Sequence, residues 1–109
     1  MPAKDKKTEK TLGNTTASGA RKNVKDIRFW GDGDTFKLVS KASSKAEGWM
    51  KSTKAMEIPK LGCVVQVTTQ QRNKDGSYSV AEAVCFVPGA RLNVVTGENG
   101  KTVSRNLIK

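Results

Sequence analysis

The sequence predicts a mainly β protein, built as a small antiparallel barrel or sandwich of six to seven strands with room for one short helix. Three observations indicate this class. Residues 62–70 are rich in β-branched side chains, residues 78–87 alternate large apolar with small or polar side chains, and the polar loop between them contains an Asp-Gly pair. Apolar alternation on both sides of such a loop is a strong short-range signal for a β-hairpin.

Residues 1–23 are expected to form a disordered basic arm in front of a single β-rich domain that covers residues 24–109. The arm carries six lysines and arginines, and Leu12 is its only large apolar residue after Met1. Such a segment buries too little apolar surface to offset the conformational entropy that it would lose on folding. Both a solvated tail and an arm that contacts phosphates fit this composition.

The front of the domain is expected to hold a first hairpin. Its predicted strands are residues 24–30 and 35–40, because apolar side chains alternate in both. Residues 31–34 have the sequence Gly-Asp-Gly-Asp, which is typical of a turn. For residues 41–47 the sequence leaves a short helical turn and a long loop both open.

Three further strands follow from the rest of the domain. Residues 48–58 are predicted as a strand from their context, although Lys-Ala-Met-Glu within them has good helix propensity and keeps a helix open. Pro59 ends either element. After the central hairpin, residues 91–95 and 101–108 are predicted as two short strands around a glycine-containing turn.

The charge balance predicts a polyanionic partner. The chain has 20 lysines and arginines against 10 acidic residues, a formal net charge of +10. Residues 1–26 hold seven basic and three acidic residues, and residues 27–109 hold thirteen and seven, so the folded part is itself basic. Such a surplus favours nucleic acid, an acidic protein surface or an anionic membrane surface as the partner.

No membrane partner is expected. No segment reaches the ~18 consecutive apolar residues that a membrane-spanning helix needs, and no apolar run follows the first lysines as it would in a secretory signal. The expected location is therefore the cytoplasm, which would be the host cytoplasm or the virion if the protein is viral.

The strongest candidate site is a basic stretch with a tryptophan near its centre. Proteins that bind single strands without sequence preference combine cations along the phosphates with aromatic rings that stack on bases. The alternative is a core tryptophan flanked by solvated lysines. The expected nucleic-acid-binding residues are Lys37, Lys41, Lys45, Trp49, Lys51, Lys54, Lys60 and Arg72.

The residues of the first central strand divide between two faces. One face carries polar side chains that suit either hydrogen bonding to nucleic acid or simple solvation, and the latter is favoured; they are Gln66, Thr68, Gln70 and Arg72. The other carries Cys63, Val65, Val67 and Thr69. Cys63 and Cys85 would face each other if the hairpin loop were centred on Lys74, and a disulfide between them is then conceivable, although strained in many pairing geometries. In a reducing compartment both are expected to be buried thiols.

The residue inventory argues against catalysis, metal binding and cofactors. The chain has no histidine, which is the commonest general base and metal ligand. Two cysteines cannot complete a four-ligand zinc site. Residues 31–34 begin like a calcium loop, but the acidic ligand expected near position 42 is missing. We expect a protein that is not an enzyme and that uses no metal or cofactor.

Three blocks of sequence resemble small basic accessory proteins of tailed bacteriophages. These blocks are GWMKSTKAM at residues 48–56, GCVVQVTTQQ at residues 62–71 and AEAVCFVPG at residues 81–89. The resemblance implies a phage protein that acts on nucleic acid, sits in the virion or binds a host protein. It transfers no functional residue to this chain.

The sequence thus predicts a non-enzymatic nucleic-acid-binding protein. Binding would be electrostatic and weakly sequence-selective, with single-stranded DNA or RNA as the favoured ligand. The alternative is a phage structural protein or protein-interaction module, in which edge strands pair with a neighbouring subunit to form a homo-oligomer.

Overall fold

Strands dominate the computed structural model of this chain, which describes residues 16–22 and 24–109. One helix, α1 (Ala17–Arg21), precedes all the strands. The strands are β1 (Lys37–Ser44), β2 (Trp49–Ile58), β3 (Gly62–Arg72), β4 (Tyr78–Pro88), β5 (Arg91–Thr96) and β6 (Thr102–Ile108). The predicted mainly β class is confirmed. Within residues 16–22 and 24–109 the strands form two separate sheets and not one closed barrel.

The larger sheet has the order β1-β2-β3-β4, and every neighbouring pair is antiparallel. The predicted central hairpin is its β3–β4 pair, which runs without a break from the pair Gly62 and Pro88 to the pair Arg72 and Tyr78. The prediction of a strand over residues 48–58 is also confirmed. Pairing of β2 on both edges outweighs the helix propensity of its Lys-Ala-Met-Glu segment.

The hairpin loop is centred on Asp75 and not on Lys74. The Asn73 amide donates to the Ser77 carbonyl over 2.7 Å, and the Ser77 amide donates to the Asp75 carboxylate over 2.9 Å. This register places Cys63 opposite Val87 and not opposite Cys85. Both cysteines are free thiols; Cys63 is buried as predicted, but Cys85 is exposed.

The register assigns the side chains of the larger sheet to two faces. The tryptophan face carries Trp49, Lys51, Thr53, Ala55, Glu57, Cys63, Val65, Val67, Thr69, Gln71 and the odd-numbered residues of β4. The glutamine face carries Met50, Ser52, Lys54, Met56, Ile58, Val64, Gln66, Thr68, Gln70, Arg72 and residues 78, 80, 82, 84 and 86 of β4. The division of β3 predicted from its alternation is confirmed.

The β5–β6 hairpin covers only one end of the tryptophan face. The Leu92 amide donates to Glu57 Oε1 over 2.6 Å, and Cys63 Sγ lies 3.4 Å from the Ala90 carbonyl oxygen. Ala55 and Cys63 beneath this end are fully buried. Burial raises the pKa of the Cys63 thiol, and the neighbouring Glu57 carboxylate raises it further. The Cys63 thiol is therefore protonated and poorly reactive.

Few apolar side chains of the described residues are buried. They are Met50, Ala55 and Cys63. A fully buried residue in an ordinary core contacts six or more others, and a domain of about this length normally has one contiguous core of such residues. The larger sheet therefore leaves much of its apolar surface open, and β4 is exposed over all 11 of its residues.

The prediction of a first hairpin over residues 24–40 is wrong. The described residues between 24 and 36 contain no strand, and β1 begins only at Lys37. It then runs to Ser44, through residues for which a helical turn or loop was expected. Gly31 and Gly33 adopt φ values of 70° and 83°, which interrupt an extended chain.

Helix α1 lies within the predicted disordered arm and is capped by Asp34. The amides of Ala17 and Ser18 donate to the Asp34 carboxylate over 2.5 and 3.0 Å. Thr16 Oγ1 accepts from the Gly19 amide over 3.0 Å, as an N-cap does. The cap joins α1 to the turn before β1, a contact that the alternation pattern did not reveal. The rest of the arm, residues 1–15 and 23, lies outside the described residues.

The Asp34 cap predicts an acid-sensitive contact. Burial raises the pKa of Asp34, but the hydrogen bonds from Ala17 and Ser18 outweigh burial and hold it below the ordinary value of 3.8. A lowered pKa in the folded state means that the stabilisation is complete above about pH 4 and is lost as the pH falls through the folded-state pKa. NMR titration of the Ser18 amide should show a midpoint below 3.8.

Two variants check that this titration belongs to Asp34. Asp34→Asn should abolish the transition at the Ser18 amide. Asp26→Asn alters a carboxylate outside the cap and should leave the transition unchanged. A midpoint at or above the ordinary value for aspartate would contradict the assigned hydrogen bonds.

Candidate nucleic-acid interface

The eight predicted binding residues do not lie on one surface. Lys37, Trp49 and Lys51 point to the tryptophan face, whereas Lys41, Lys54 and Arg72 share the glutamine face. Lys45 lies in the β1–β2 turn, and Lys60 lies in the β2–β3 turn at the opposite end of the sheet. The basic surface that the sequence suggested is therefore divided between the two faces of the sheet and the turns at its two ends.

Trp49 is the centre of the part that best fits a binding surface. Its side chain is half-buried, so it is neither a core residue nor a freely rotating one. The indole Nε1 donates to Glu47 Oε1 over 2.7 Å, which restricts the orientation of the ring. Lys51 Nζ lies 5.7 Å from the ring centroid, within range of a cation–π contact.

The strands beside Trp49 present small or polar side chains on the same face. Ser44 and Gln71 are its cross-strand partners, and Lys51 lies between Ala42 and Thr69. Further along the same rows, Ser79 pairs with Gln71 and Ala81 pairs with Thr69. The ring therefore stands on a shallow and mostly polar sheet surface. We call Trp49, Lys51, Thr69 and Gln71 the tryptophan patch.

Sequence reasoning missed two members of this patch, Thr69 and Gln71. Gln71 is exposed, and its Nε2 donates to the Glu47 carbonyl over 3.3 Å. The signal that could have found them is the strand register, since opposite residues of antiparallel strands share a face. Assigning that register needs the pairing of β2 with β3, which one sequence alone does not fix.

Arg72 stabilises the β1–β2 turn. Its Nη2 donates to the Lys45 carbonyl over 3.1 Å. A Cβ atom built on Gly48 would lie 3.0 Å from Arg72 Cβ and 3.1 Å from its Nε, so the arginine side chain packs directly on that glycine. These contacts give Arg72 a structural role in the turn, and its role at phosphates stays a prediction.

Lys37 and Lys60 lie apart from the tryptophan patch. Lys37 Nζ forms an ion pair with Asp32 Oδ2 over 2.7 Å, and this hydrogen bond lowers the pKa of the Asp32 carboxyl. Lys60 occupies a turn with a positive φ of 69°. Neither position brings its cation beside the Trp49 ring.

A family comparison matches residues 7–104 of the chain to the model described as Lockin family. The chain belongs to the Lockin family. The matched range includes α1, β1 to β5 and the start of β6. Neither the curated proteins nor the solved structures contain a match.

The described part of this Lockin-family chain offers no grouped metal ligands. Residues 16–22 and 24–109 contain no cluster of three or more histidine, cysteine, aspartate or glutamate side chains that could hold a metal ion. Across the same residues, no helix combines the length and apolar character needed to cross a bilayer.

Strand β4 gives this Lockin-family chain a second distinctive surface. Four large apolar side chains of its glutamine face are exposed: Tyr78 by 42%, Val80 by 57%, Val84 by 60% and Phe86 by 49%. Glu82 stands in the middle of this row. Its Oε2 accepts from Thr68 Oγ1 over 3.1 Å and from Gln66 Nε2 over 3.4 Å. The row is thus an exposed apolar surface interrupted by one carboxylate.

Proposed function

We propose that this protein is a non-enzymatic nucleic-acid-binding protein whose tryptophan patch receives single-stranded DNA or RNA. The observation that carries the proposal is a half-buried indole ring on the sheet surface with Lys51 Nζ 5.7 Å from its centroid. The formal charge of +10 supplies the long-range attraction to phosphates. Such binding is mainly electrostatic and weakly selective for sequence.

The restricted orientation of the Trp49 indole supports a role in base stacking. The hydrogen bond to Glu47 fixes the orientation of the ring before a ligand arrives, so less side-chain entropy is lost on binding. The Glu47 carboxylate repels phosphates, whereas the ammonium of Lys51 attracts them. We therefore expect a bound strand to place a base on Trp49 and its backbone towards Lys51. Duplexes keep their bases stacked inside and gain nothing from the ring.

Fluorescence anisotropy with labelled oligonucleotides tests this function. Single strands should bind more tightly than duplexes of the same length. Affinity should fall between about 50 and about 200 mM salt, because each neutralised phosphate of a single strand contributes roughly −0.7 to the slope of log K against log salt. The proposal is eliminated if neither single nor double strands of DNA or RNA bind at the lower salt. Tighter binding of duplexes would contradict the stacking role.

The contribution of Lys51 can be measured separately. Lys51→Gln should weaken binding of all single strands about equally and reduce the salt slope by about 0.7, the contribution of one phosphate contact. Lys60→Gln is the matched control, because it removes the same charge from the far turn and should leave the slope nearly unchanged. Equal effects of the two substitutions would show that overall charge, and not the patch, governs binding.

A second function is favoured by the exposure of β4. An unpaired strand with an apolar row supports the alternative of a protein-interaction module, including a structural part of a phage particle. The two functions use different residues. The apolar row of β4 lies on the glutamine face, whereas the tryptophan patch lies on the tryptophan face.

A further inference from the structure

Strand β4 is an open edge of the larger sheet. It pairs only with β3, and all 11 of its residues are exposed. Among the described strands and the helix, β3 is also the only element that it contacts. An exposed edge of this length is a ready template for another strand, and natural proteins normally cover it or interrupt it with charged residues.

The hydrogen bonds at the two ends of the hairpin show which groups point outwards. Asn73 N donates to Ser77 O over 2.7 Å, and Gly89 N donates to Leu61 O over 2.9 Å. Because the register between these ends is unbroken, the odd-numbered residues of β4 direct their backbone groups to β3. The free edge therefore consists of the backbone groups of Tyr78, Val80, Glu82, Val84 and Phe86.

The side chains of this free edge form a nearly palindromic row. Read in either direction from Glu82, the next outward residue is a valine and the one after it is an aromatic. Pro88 follows Phe86 along this edge and has no N–H group. The row of free backbone N–H donors therefore ends before Pro88. No lysine or arginine interrupts β4, so the only charge on the edge is that of Glu82.

We propose that β4 binds the β4 strand of a second copy of this chain, antiparallel across a two-fold axis at Glu82. This register places Val80 opposite Val84 of the second copy and Tyr78 opposite Phe86. All of these residues have outward-facing backbone groups, so the pairs are hydrogen-bonded. The two four-stranded sheets then form one continuous sheet, in which each exposed apolar side chain gains an apolar neighbour. The inference is independent of the proposed nucleic-acid binding.

The pattern of β4 favours a second copy over an unrelated strand because the row is complementary to itself. With the two-fold axis at Ala81 or Ala83, the Glu82 carboxylate of each copy would lie opposite a valine of the other copy. Only the axis at Glu82 pairs apolar with apolar at all four positions. The shortage of buried apolar residues in the single chain is also relieved by this pairing.

The chosen register brings two Glu82 carboxylates towards each other. Each carboxylate already accepts hydrogen bonds from Thr68 and Gln66 of its own β3, which directs it away from the axis. The remaining repulsion opposes pairing, so Glu82→Gln should tighten the dimer by about two- to fivefold, the size of one cross-strand pair. Val84→Lys should weaken it at least tenfold, and because Val84 is 60% exposed the folded monomer should be retained.

Disulfide trapping tests the register directly. The axis at Glu82 sets Ser79 opposite Cys85 of the second copy in a non-hydrogen-bonded pair, where Cα atoms are about 4.5 Å apart and a disulfide fits. With oxidised glutathione as the electron acceptor, Ser79→Cys should give a covalent dimer held by bonds to the native, exposed Cys85. The double variant Ser79→Cys, Cys85→Ser should stay uncrosslinked, because it keeps only the buried Cys63 and the new thiol.

Light scattering after size-exclusion chromatography supplies the second readout. The wild-type chain should show a concentration-dependent dimer that Val84→Lys abolishes while circular dichroism still reports a β-rich fold. A monomer at every concentration with no trapping of Ser79→Cys would overturn the proposal. Trapping of Ala81→Cys, Cys85→Ser in place of Ser79→Cys would overturn the register at Glu82. Binding of β4 only by a different protein would also leave the isolated chain monomeric and count against it.

Discussion

Alanine at Gly62 is expected to lower the free energy of unfolding by about 3 kcal/mol. Gly62 begins β3 with a φ of 153° and is buried against the end of β4. A Cβ atom there would lie 2.3 Å from the Val87 carbonyl oxygen and 3.0 Å from the Gly89 amide nitrogen. Both neighbours are backbone atoms, one at the end of β4 and the other just after it, so the backbone must move apart to admit a methyl group.

Urea denaturation of the variant and of a matched control measures this effect. Gly76→Ala is the control, because Gly76 also has a positive φ, 88°, but no atom within 4 Å of the added Cβ. Its cost should be only the backbone strain, about 1 kcal/mol. Similar losses at both sites would mean that the close approach of Gly62 to β4 does not limit the strand pairing.

Trp49→Ala is expected to weaken binding of single-stranded oligonucleotides by about five- to hundredfold. The basis is the stacking of a base on the indole, which contributes about 1–3 kcal/mol per base in proteins of this binding mode. Anisotropy titration at low salt provides the measurement. The loss should be smaller for duplexes, whose bases are not available to the ring.

Trp30 offers a matched control within the same chain. Its side chain is 83% exposed and lies outside both sheets, in the segment before β1. Trp30→Ala removes an equally large aromatic side chain and should leave oligonucleotide affinity within about twofold of the wild type, as expected of a substitution at a largely exposed position. If Trp30→Ala weakens binding as much as Trp49→Ala, the tryptophan patch is not the stacking site.

The parts of the fold that local patterns encode were predictable. The β3–β4 hairpin follows from alternation on both sides of an Asp-Gly loop, and the two faces of β3 follow from the period of two. The strand predicted over residues 24–30 was wrong because the same alternation also occurs in irregular segments. There, positive φ at Gly31 and the Asp34 cap on α1 determine the path. The Asp34 cap joins residues that are 16 and 17 positions apart in the chain.

The candidate site was only partly predictable. The sequence singled out Trp49 and Lys51, which the structure places together. The period of two places Lys54 on the opposite face from Lys51 once residues 48–58 form a strand. Spacing along the chain could not place Lys41, because the register of β1 shifts between Leu38 and Ser40. The partner of the ring, Glu47, lies in a turn whose geometry depends on Gly48.

The exposure of the β4 edge could not be predicted from the sequence, for a different reason. Alternation of Tyr78, Val80, Val84 and Phe86 ordinarily indicates a strand with one face packed on a core. Nothing in the pattern says whether another layer covers that face. The structure shows these side chains exposed, and Cys85 on the other face is exposed as well.

Fluorescence of Trp49 during oligonucleotide titration tests the proposed function most directly. Trp30→Phe leaves Trp49 as the single tryptophan of the chain. Addition of a single-stranded oligonucleotide should quench its emission to a plateau, with a midpoint that moves to higher ligand concentration as salt rises. Binding detected by anisotropy without any change in Trp49 emission would contradict stacking on the ring, and no change in either signal would contradict the function itself.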